Sequence, residues 1–445
     1  MGSHILHRQT RTPLPVIARG EGVFLYDSEG KRYLDGSGGA AVSCLGHGHP
    51  RIIAALREQL DAIAYAHTAF FTNEPAEQLA DFLCARAPGD FGRVIFSTGG
   101  SEAVEAALKL ARQVHVERGE ETRSHFIARR QSYHGATLGA MSVGYHAGRR
   151  KTYQPILNNA TVSHIAPAYA YRNRGEGESE EEYGQRAAQE LETEIQRVGP
   201  DRVAAFICET VSGSTIGAVP PPAGYLKEIR RICDRHGVLL ILDEVMCGMG
   251  RTGSLFACEQ DGISPDIVTI AKGLGGGYQP IGATLARKAV AEAVTEGSGA
   301  LAHGHTYMSH ATACAGALAV QHVIEEDDLL ANVRAQSDRL FAALNETFGQ
   351  HPHIGDIRGR GLFIGIEFVA DRDTKEPFAP EEQIAARFKA AAFANGLICY
   401  PANGTADGFR GDHTLLAPPF IISDDEVSLL VELLEQTVRD VLPGR

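Results

Sequence analysis

The chain has 445 residues, 44% of them apolar, and is therefore long enough to bury one or two large hydrophobic cores. Its 42 basic and 55 acidic residues give a formal charge of −13, which argues against nucleic acid or an anionic membrane surface as a partner. The eight cysteines include no Cys-x-x-Cys pair, which favours reduced core thiols in a cytoplasmic protein. No apolar run is long enough for a membrane span.

Short extended stretches at residues 22–26 and 32–35 are the first structural signal along the chain. Two such stretches are too small to form a hydrophobic core of their own. We therefore expect residues 1–70 to pack on the C-terminal part of the chain, as one part of a discontinuous small domain.

Between about residues 90 and 290, short apolar runs alternate with helical patterns, which is typical of an α/β protein with a mainly parallel sheet. The predicted strands are 94–96, 126–128, 203–208, 238–242 and 267–271, and the predicted helices include 104–111 and 226–233. Gly237 follows the second helix, where a glycine commonly closes a helix. We predict that residues 71–325 form a large domain around this sheet.

The pattern changes after about residue 324. It predicts a helix over 329–348, strands within 354–369, a further helix and a closing helix that starts at Ser423. Ser423 and Glu426 have the spacing of a capping box. We predict that residues 326–445 join residues 1–70 in a smaller α+β domain.

The first candidate functional motif is the segment Ser97-Thr98-Gly99-Gly100-Ser101-Glu102, which lies between a predicted strand and a predicted helix. Unpaired N–H groups and the positive end of a helix dipole meet at such a turn, so it can bind an anion such as phosphate. The alternative is an ordinary strand-to-helix turn without a ligand.

The second motif is an apolar strand that ends in Asp243 and Glu244. Ligand crevices of open α/β sheets lie at the carboxyl ends of the strands, and a buried carboxylate there needs a cation or a proton donor. We expect Asp243 to face a positively charged group. A structural salt bridge or a helix N-cap is the alternative.

The third motif is Lys272, which ends an apolar strand and precedes a glycine-rich segment. A lysine in an apolar site favours its neutral form and can act as a nucleophilic amine that forms a Schiff base. The alternatives are a lysine that extends from a strand end to solvent and a nucleotide-binding loop at Gly275-Gly276-Gly277. Together, the anion site, the carboxylate and the amine are what pyridoxal phosphate requires for its phosphate, its ring nitrogen and its aldehyde.

These residues resemble the class III pyridoxal-phosphate-dependent aminotransferases over roughly residues 22–442. The most specific segment is 240–253, which contains Asp243 and is followed by Lys272, 29 positions after that aspartate. Residues 45–50, 97–112, 133–135, 209–211, 305–307 and 358–361 support the resemblance. It implies the fold type I architecture: a large domain with a mixed, mostly parallel sheet and a smaller α+β domain from both termini.

The resemblance also implies roles for individual residues. Lys272 would carry the coenzyme as a Schiff base and transfer the proton, while Asp243 would pair with the ring nitrogen. The implied cofactor contacts are Gly100, Ser101, Tyr133, His134, Glu209, Asp243, Val245, Lys272 and Thr306. Of these, Tyr133 and Val245 would enclose the ring, and Gly100 and Ser101 would bind the phosphate. Thr306 would reach the phosphate of a neighbouring subunit, which implies a homodimer, or a tetramer built from dimers.

The substrate-binding part of the chain departs from some branches of the family. In the ornithine and 4-aminobutyrate branches an arginine binds the α-carboxylate, and Thr414 stands at that place here. Residues 409–413 resemble the loop that carries a mobile arginine in amine:pyruvate enzymes, so Arg410 is the candidate substrate-binding residue. Such an arginine can bind a keto acid's carboxylate in one half-reaction and move aside in the other. The alternative is an arginine on an exposed loop.

The predicted activity is ping-pong transfer of an amino group from a primary amine or ω-amino compound to a keto acid, with pyruvate as the favoured acceptor. The rivals are decarboxylation of a dialkyl amino acid or an amine shift with the same coenzyme, a non-catalytic ligand-binding protein, and a nicotinamide dehydrogenase. The last rival predicts a helix directly after Gly277. The pairs His47 and His49, and His303 and His305, lie in glycine-rich turns, so we predict no metal site.

Overall fold

The computed structural model describes residues 4–442, which form helices packed on three β-sheets. The strands are β1 (Ile17–Glu21), β2 (Phe24–Asp27), β3 (Arg32–Asp35), β4 (Phe91–Ser97), β5 (His125–Arg129), β6 (Val162–Ile165), β7 (Val203–Glu209), β8 (Leu239–Asp243), β9 (Ile267–Ile270), β10 (Gly282–Arg287), β11 (Ile354–Arg360), β12 (Phe363–Phe368), β13 (Leu397–Ile398), β14 (Tyr400–Asn403) and β15 (Asp412–Leu416). The helices are α1 (Gly38–Ala41), α2 (Pro50–Ala62), α3 (Glu74–Arg86), α4 (Gly100–Glu117), α5 (Leu138–Val143), α6 (Ala147–Tyr153), α7 (Ala170–Asn173), α8 (Glu180–Val198), α9 (Tyr225–His236), α10 (Lys288–Glu296), α11 (Ala311–Glu326), α12 (Leu329–Phe348), α13 (Ile384–Ala394) and α14 (Asp424–Val441).

The central sheet has seven strands in the order β4-β10-β9-β8-β7-β5-β6. The strands β9, β8, β7, β5 and β6 pair in parallel, whereas β10 is antiparallel to both of its neighbours. All residues of β7 and β8 are buried, because helices cover both faces of the sheet. The sheet is thus mixed and mostly parallel, as the sequence predicts.

The predicted strands of this region are confirmed to within about three residues at each end, and the two predicted helical segments lie inside the longer helices α4 and α9. Gly237 closes α9 in the left-handed conformation, with a φ of 62°. Glycine adopts this conformation readily because it has no Cβ atom. The sequence analysis missed β6 and β10. Both are short strands, and β10 is rich in small residues, so their pairing depends on neighbours far away in the sequence.

The strand β10 also decides against one rival function. After Gly277 the chain passes through a turn into β10 at Gly282, and no helix opens there. The nicotinamide dehydrogenase hypothesis, which required that helix, is therefore wrong.

The two smaller sheets lie at the termini of the chain. One has the order β1-β2-β3-β13, in which β13 pairs in parallel with β3, and the other has the order β11-β12-β15-β14. A single hydrophobic cluster joins Val23 and Leu34 near the N-terminus to Leu397 and Leu430 near the C-terminus. On this basis we propose the domain division 1–70, 71–325 and 326–445, in which the first and last segments share one core.

Helix α14 begins with the capping box that the sequence predicts. The Ser423 hydroxyl accepts a hydrogen bond from the backbone N–H of Glu426, and the Glu426 carboxylate accepts one from the Ser423 N–H. Within residues 4–442, no helix combines the length and the apolar composition that a bilayer crossing requires.

Candidate active site

The candidate site lies at the edge of the central sheet where β4, β7, β8 and β9 end. These four strands run in the same direction, so their last residues meet along one edge. A cavity of about 270 Å³ opens there. It is lined by Val42, Thr98, Gly99, Gly100, Ser101, Tyr133, His134, Gly135, Glu209, Val211, Asp243, Val245, Met246, Ala271, Lys272, Gln279, Pro280 and Ile281.

One end of the cavity is formed by the start of α4. The first hydrogen bond of this helix runs from the Ala103 N–H to the Gly99 carbonyl, so the N–H groups before Ala103 have no partner within the helix. A Cβ atom at Gly100 would lie 2.7 Å from Cγ1 of Val245, which is too close for a real contact. A residue with a side chain would therefore not fit at position 100 unless Val245 or α4 shifted. The unpaired N–H groups at this helix terminus can bind an anion.

The loop that contains Tyr133 and His134 packs closely against this helix start. The Ala136 N–H donates to Oγ of Ser101 at 3.0 Å. Gly135 has a φ of 142°, and a Cβ atom there would lie 2.7 Å from the same Oγ. Because of this close approach, Ser101 and Tyr133 line the same cavity.

Asp243, the last residue of β8, is 4% exposed, and its carboxylate is fixed by two contacts. Oδ2 lies 2.7 Å from Nδ1 of His134, and Oδ1 accepts a hydrogen bond from the Val245 N–H at 3.0 Å. His134 is itself buried, with 3% exposed. The carboxylate is thus held in one orientation at the cavity wall.

Glu209, at the end of β7, is the neighbour of Asp243 across the strand pair. Its carboxylate accepts hydrogen bonds from the N–H groups of Gly213 at 2.9 Å and Tyr133 at 3.4 Å. Burial raises the pKa of Glu209, and the nearby negative charge of Asp243 acts in the same direction. Two acidic groups therefore lie side by side under the cavity.

Lys272 follows β9 and Ala271, and its side chain lines the cavity. Its φ of 48° is in the left-handed region, which is uncommon for a residue with a side chain. Burial lowers the pKa of Lys272, whereas the charges of Asp243 and Glu209 partly oppose this effect. The cavity thus favours a neutral amine more than water does.

Two of the residues predicted from the sequence lie outside this cavity. The carbonyl of Thr306 accepts a hydrogen bond from the Tyr65 hydroxyl at 2.8 Å, and its side chain is exposed. The Arg410 guanidinium pairs with Asp407 at 2.8 Å and with Glu376 at 3.5 Å. Arg410 must leave both acids before it can bind a substrate, so its role stays a prediction.

The histidine pairs do not form a metal site within residues 4–442. His47 lies 3.1 Å from the carboxylate of Asp35, and the rings of His303 and His305 are 4.9 Å apart. In this part of the chain, no three His, Cys, Asp or Glu side chains are grouped so that they could hold an ion.

Part of the cavity wall comes from residues that no sequence motif marks. Gln279, Pro280 and Ile281 precede β10, and Val42 comes from the N-terminal segment. No local motif marks these residues, because the pairing of β10 with β4 and β9 brings the first three into the site. The Gly275–Gly277 run was the only nearby signal.

Known proteins resemble this chain over nearly its whole length. The family model described as aminotransferase class-III matches residues 5–438. An uncharacterized aminotransferase of Schizosaccharomyces pombe is 47% identical over 95% of this chain and 92% of its own length. An (S)-enantioselective omega-transaminase from Thermomicrobium roseum superposes with a TM-score of 0.92 at 36% identity, over 99% of this chain and 97% of that chain.

A second solved structure identifies a coenzyme form. The omega-transaminase of Pseudomonas jessenii, in complex with PMP, has a TM-score of 0.90 at 33% identity and covers 97% of this chain and 94% of its own. Its fold, like that of the other transaminases, is the fold type I that the sequence predicts. The chain therefore belongs to the class III aminotransferases, which are enzymes that use pyridoxal phosphate.

Proposed function

We propose that this enzyme transfers an amino group from a primary amine or an ω-amino compound to a keto acid, with pyruvate as acceptor, in two half-reactions of a ping-pong cycle. The observation that carries the proposal is the pair Asp243 and Lys272, which lie at the end of β8 and just after the adjacent strand β9 and line one cavity. The likeness to solved omega-transaminases supports an ω-amine donor.

The residues of the cavity fit pyridoxal phosphate. A Cβ atom would collide with Val245 at Gly100, so the start of α4 is kept free of side chains where a phosphate needs N–H donors. The carboxylate of Asp243 is buried and oriented by His134, and Lys272 supplies the amine. These groups provide the three attachment points that the coenzyme requires.

When bound, the coenzyme supplies the electron sink that stabilises the carbanion at the substrate Cα. Gly100 and Ser101 would hold its phosphate at the helix start. Asp243 would keep the ring nitrogen protonated, and His134 would hold that carboxylate in place. Tyr133 and Val245 would cover the two faces of the ring.

Lys272 has two tasks in this proposal. Because burial lowers its pKa, a larger fraction of its amine is neutral and able to accept a proton at neutral pH. The Nζ atom would take the proton from the Cα of the amine donor and deliver it to the coenzyme, and it would reverse this transfer for the keto acid. Glu209, whose pKa is raised, lies beside Asp243 and lines the same cavity.

We also propose a homodimer in which Thr306 reaches the phosphate of the neighbouring subunit. Several large apolar side chains are exposed in the single chain, among them Phe70, Phe71 and Tyr307. Burial of such side chains between two subunits is favourable. A cytoplasmic location is proposed because all eight cysteines, Cys44 to Cys399, are free thiols.

The half-reactions test this proposal directly. The purified holoenzyme is mixed with a primary amine such as 1-phenylethylamine, and the coenzyme absorbance is followed, after which pyruvate or 2-oxoglutarate is added. We expect the amine to change the spectrum and pyruvate to reverse the change, while Lys272→Ala shows neither step. Release of carbon dioxide, or turnover without a keto acid, would instead favour decarboxylation or an amine shift, and a wild-type protein inert to every amine would favour a binding protein.

A further inference from the structure

Arg149 lies beside the candidate active site, and its positive charge has no acidic partner among the described residues. It belongs to α6, and its guanidinium carbon is 4.7 Å from the centre of the Tyr133 ring, which lines the cavity. The residue is partly buried. Among residues 4–442, no carboxylate lies within ion-pair distance of this guanidinium and no acceptor receives a hydrogen bond from it.

Two other arginines of this region, Arg150 and Arg129, are engaged by groups of the protein itself. Arg150 donates to the backbone carbonyls of Met141, Ser142 and Gly144 at 2.7, 2.9 and 2.7 Å, and so anchors α6 to the preceding segment. Arg129 donates to the Glu209 carbonyl and the Ser212 hydroxyl.

Arg410, which the sequence predicts to bind the substrate carboxylate, already has acidic partners in the protein. Arg410 is exposed and is neutralised by Asp407 and Glu376. Arg149 has no acidic partner among residues 4–442, so its guanidinium can bind an anion from solution.

The charge of Arg149 also acts on the reacting amine. Burial is the main cause of the lowered pKa of Lys272, and the positive charge of Arg149 acts in the same direction. The two side chains therefore share one electrostatic environment. An anion bound to Arg149 would lie within the field of the active site and not on a remote surface.

We propose that Arg149 is a specificity-determining residue that binds the carboxylate of the keto acid. This inference rests on the proposed function and names the residue that selects its acceptor class. A guanidinium can form two parallel hydrogen bonds to a carboxylate, which fixes the position of the keto carbon relative to Lys272. An uncharged amine donor makes no such bond, so the guanidinium stays stacked on Tyr133 during the other half-reaction.

The test compares an acid with its ester. Pyruvate and methyl pyruvate carry the same keto group, but only pyruvate has a carboxylate. In the keto-acid half-reaction we expect Arg149→Met to lower kcat/KM for pyruvate about 10- to 100-fold, mainly through KM, because a charge-assisted hydrogen bond pair is lost. We expect methyl pyruvate and 1-phenylethylamine to change less than about twofold, and Arg149→Lys to recover part of the loss for pyruvate.

Arg439→Met is the matched control variant, because Arg439 is an exposed arginine that pairs with Glu435 on α14 and does not line the cavity. We expect it to leave the discrimination between pyruvate and its ester unchanged. If kcat/KM for pyruvate fell in Arg410→Met but not in Arg149→Met, the inference would be overturned, and binding of the carboxylate would be assigned to Arg410. Equal losses for pyruvate and methyl pyruvate in Arg149→Met would also overturn it.

Failure of the proposed function is recognised separately, as a wild-type holoenzyme whose spectrum no amine changes. Calorimetric titration of pyruvate into the holoenzyme then still decides the inference, since it needs no turnover. Weaker binding to Arg149→Met than to wild type and Arg439→Met supports it, and equal binding to all three proteins overturns it. Thermal melts of each variant confirm that the fold is retained.

Discussion

Oδ2 of Asp243 lies 2.7 Å from Nδ1 of His134, and both side chains are buried at the carboxyl edge of the central sheet. The histidine comes from the loop after β5, and the aspartate is the last residue of β8. The pair thus connects two segments that are 109 positions apart in the sequence. In the proposed mechanism, this contact keeps the carboxylate aimed at the coenzyme ring.

Asp243→Asn tests the electrostatic part of this role. The amide has nearly the same shape but carries no charge, so it cannot hold a protonated ring nitrogen. We expect the coenzyme to remain bound, while the rate of the amine half-reaction falls by about 100-fold or more, as measured by stopped-flow absorbance. Asp266→Asn is the control, because Asp266 pairs with Arg230 and does not line the cavity, so this variant should lose stability and not rate.

Gly100→Ala tests the fit at the helix start. The added methyl group would lie 2.7 Å from Cγ1 of Val245, so either α4 or Val245 must shift. We expect the affinity for pyridoxal phosphate, measured by equilibrium dialysis, to fall at least tenfold. Adding Val245→Ala removes the clashing atoms, so the double variant should bind the coenzyme better than the sum of the two single effects predicts. If the effects of the two substitutions on coenzyme affinity were simply additive, the contact between residues 100 and 245 would not be the cause of the weaker binding.

Mixed dimers test the proposed exchange of Thr306. Lys272→Ala removes the reacting amine, and we expect Thr306→Ala to weaken phosphate binding by about tenfold. If Thr306 serves the neighbouring subunit, a dimer with one subunit of each kind has one site that keeps both residues. Co-expression and purification with two different tags should therefore yield more activity than either single variant at low coenzyme concentration. Activity equal to that of the Thr306→Ala protein diluted by half would refute the exchange.

His413 provides a prediction about pH. Burial lowers the pKa of this fully buried histidine to about 3, and the charge of Arg358 acts in the same direction. The unfolded chain therefore binds a proton near pH 6.5 while the folded chain does not, so stability falls as the pH drops from about 6.5 towards about 3. From pH 7 to pH 5 this loss amounts to about 2 kcal/mol.

The comparison of wild type with His413→Asn measures this effect. We expect the variant to be less stable at pH 7, because the asparagine leaves part of the histidine's volume unfilled. The gap in Tm should narrow as the pH is lowered to 5, since only the wild type loses the histidine contribution. A constant gap over this range would contradict the assignment.

The sequence was most informative where a function requires a residue type at a fixed place on a strand. Asp243 and Lys272 were predicted to share a site because each ends an apolar run and the ends of parallel strands meet at one edge, and both do line one cavity. The capping box at Ser423 and the closing glycine at 237 were also identified, since both are local hydrogen-bonding patterns.

The sequence was less informative where a residue gains its place through contacts with distant segments. Strand β10 has a weak local signal and exists because β4 and β9 pair with it on either side. Arg149 and Arg150 are neighbours in the sequence and look alike, yet Arg150 is held by three carbonyl groups and Arg149 faces Tyr133 without an acidic partner among the described residues.

By itself, the sequence predicted the class of chemistry of this protein, because the amine, the carboxylate and the glycine-rich turn are local features that each lie at the end of a strand. Only the tertiary structure decided which charges are free and which are neutralised. Whether an arginine is available to a substrate depends on the acids and carbonyl groups that folding brings next to it, and those groups come from parts of the chain that no local pattern connects.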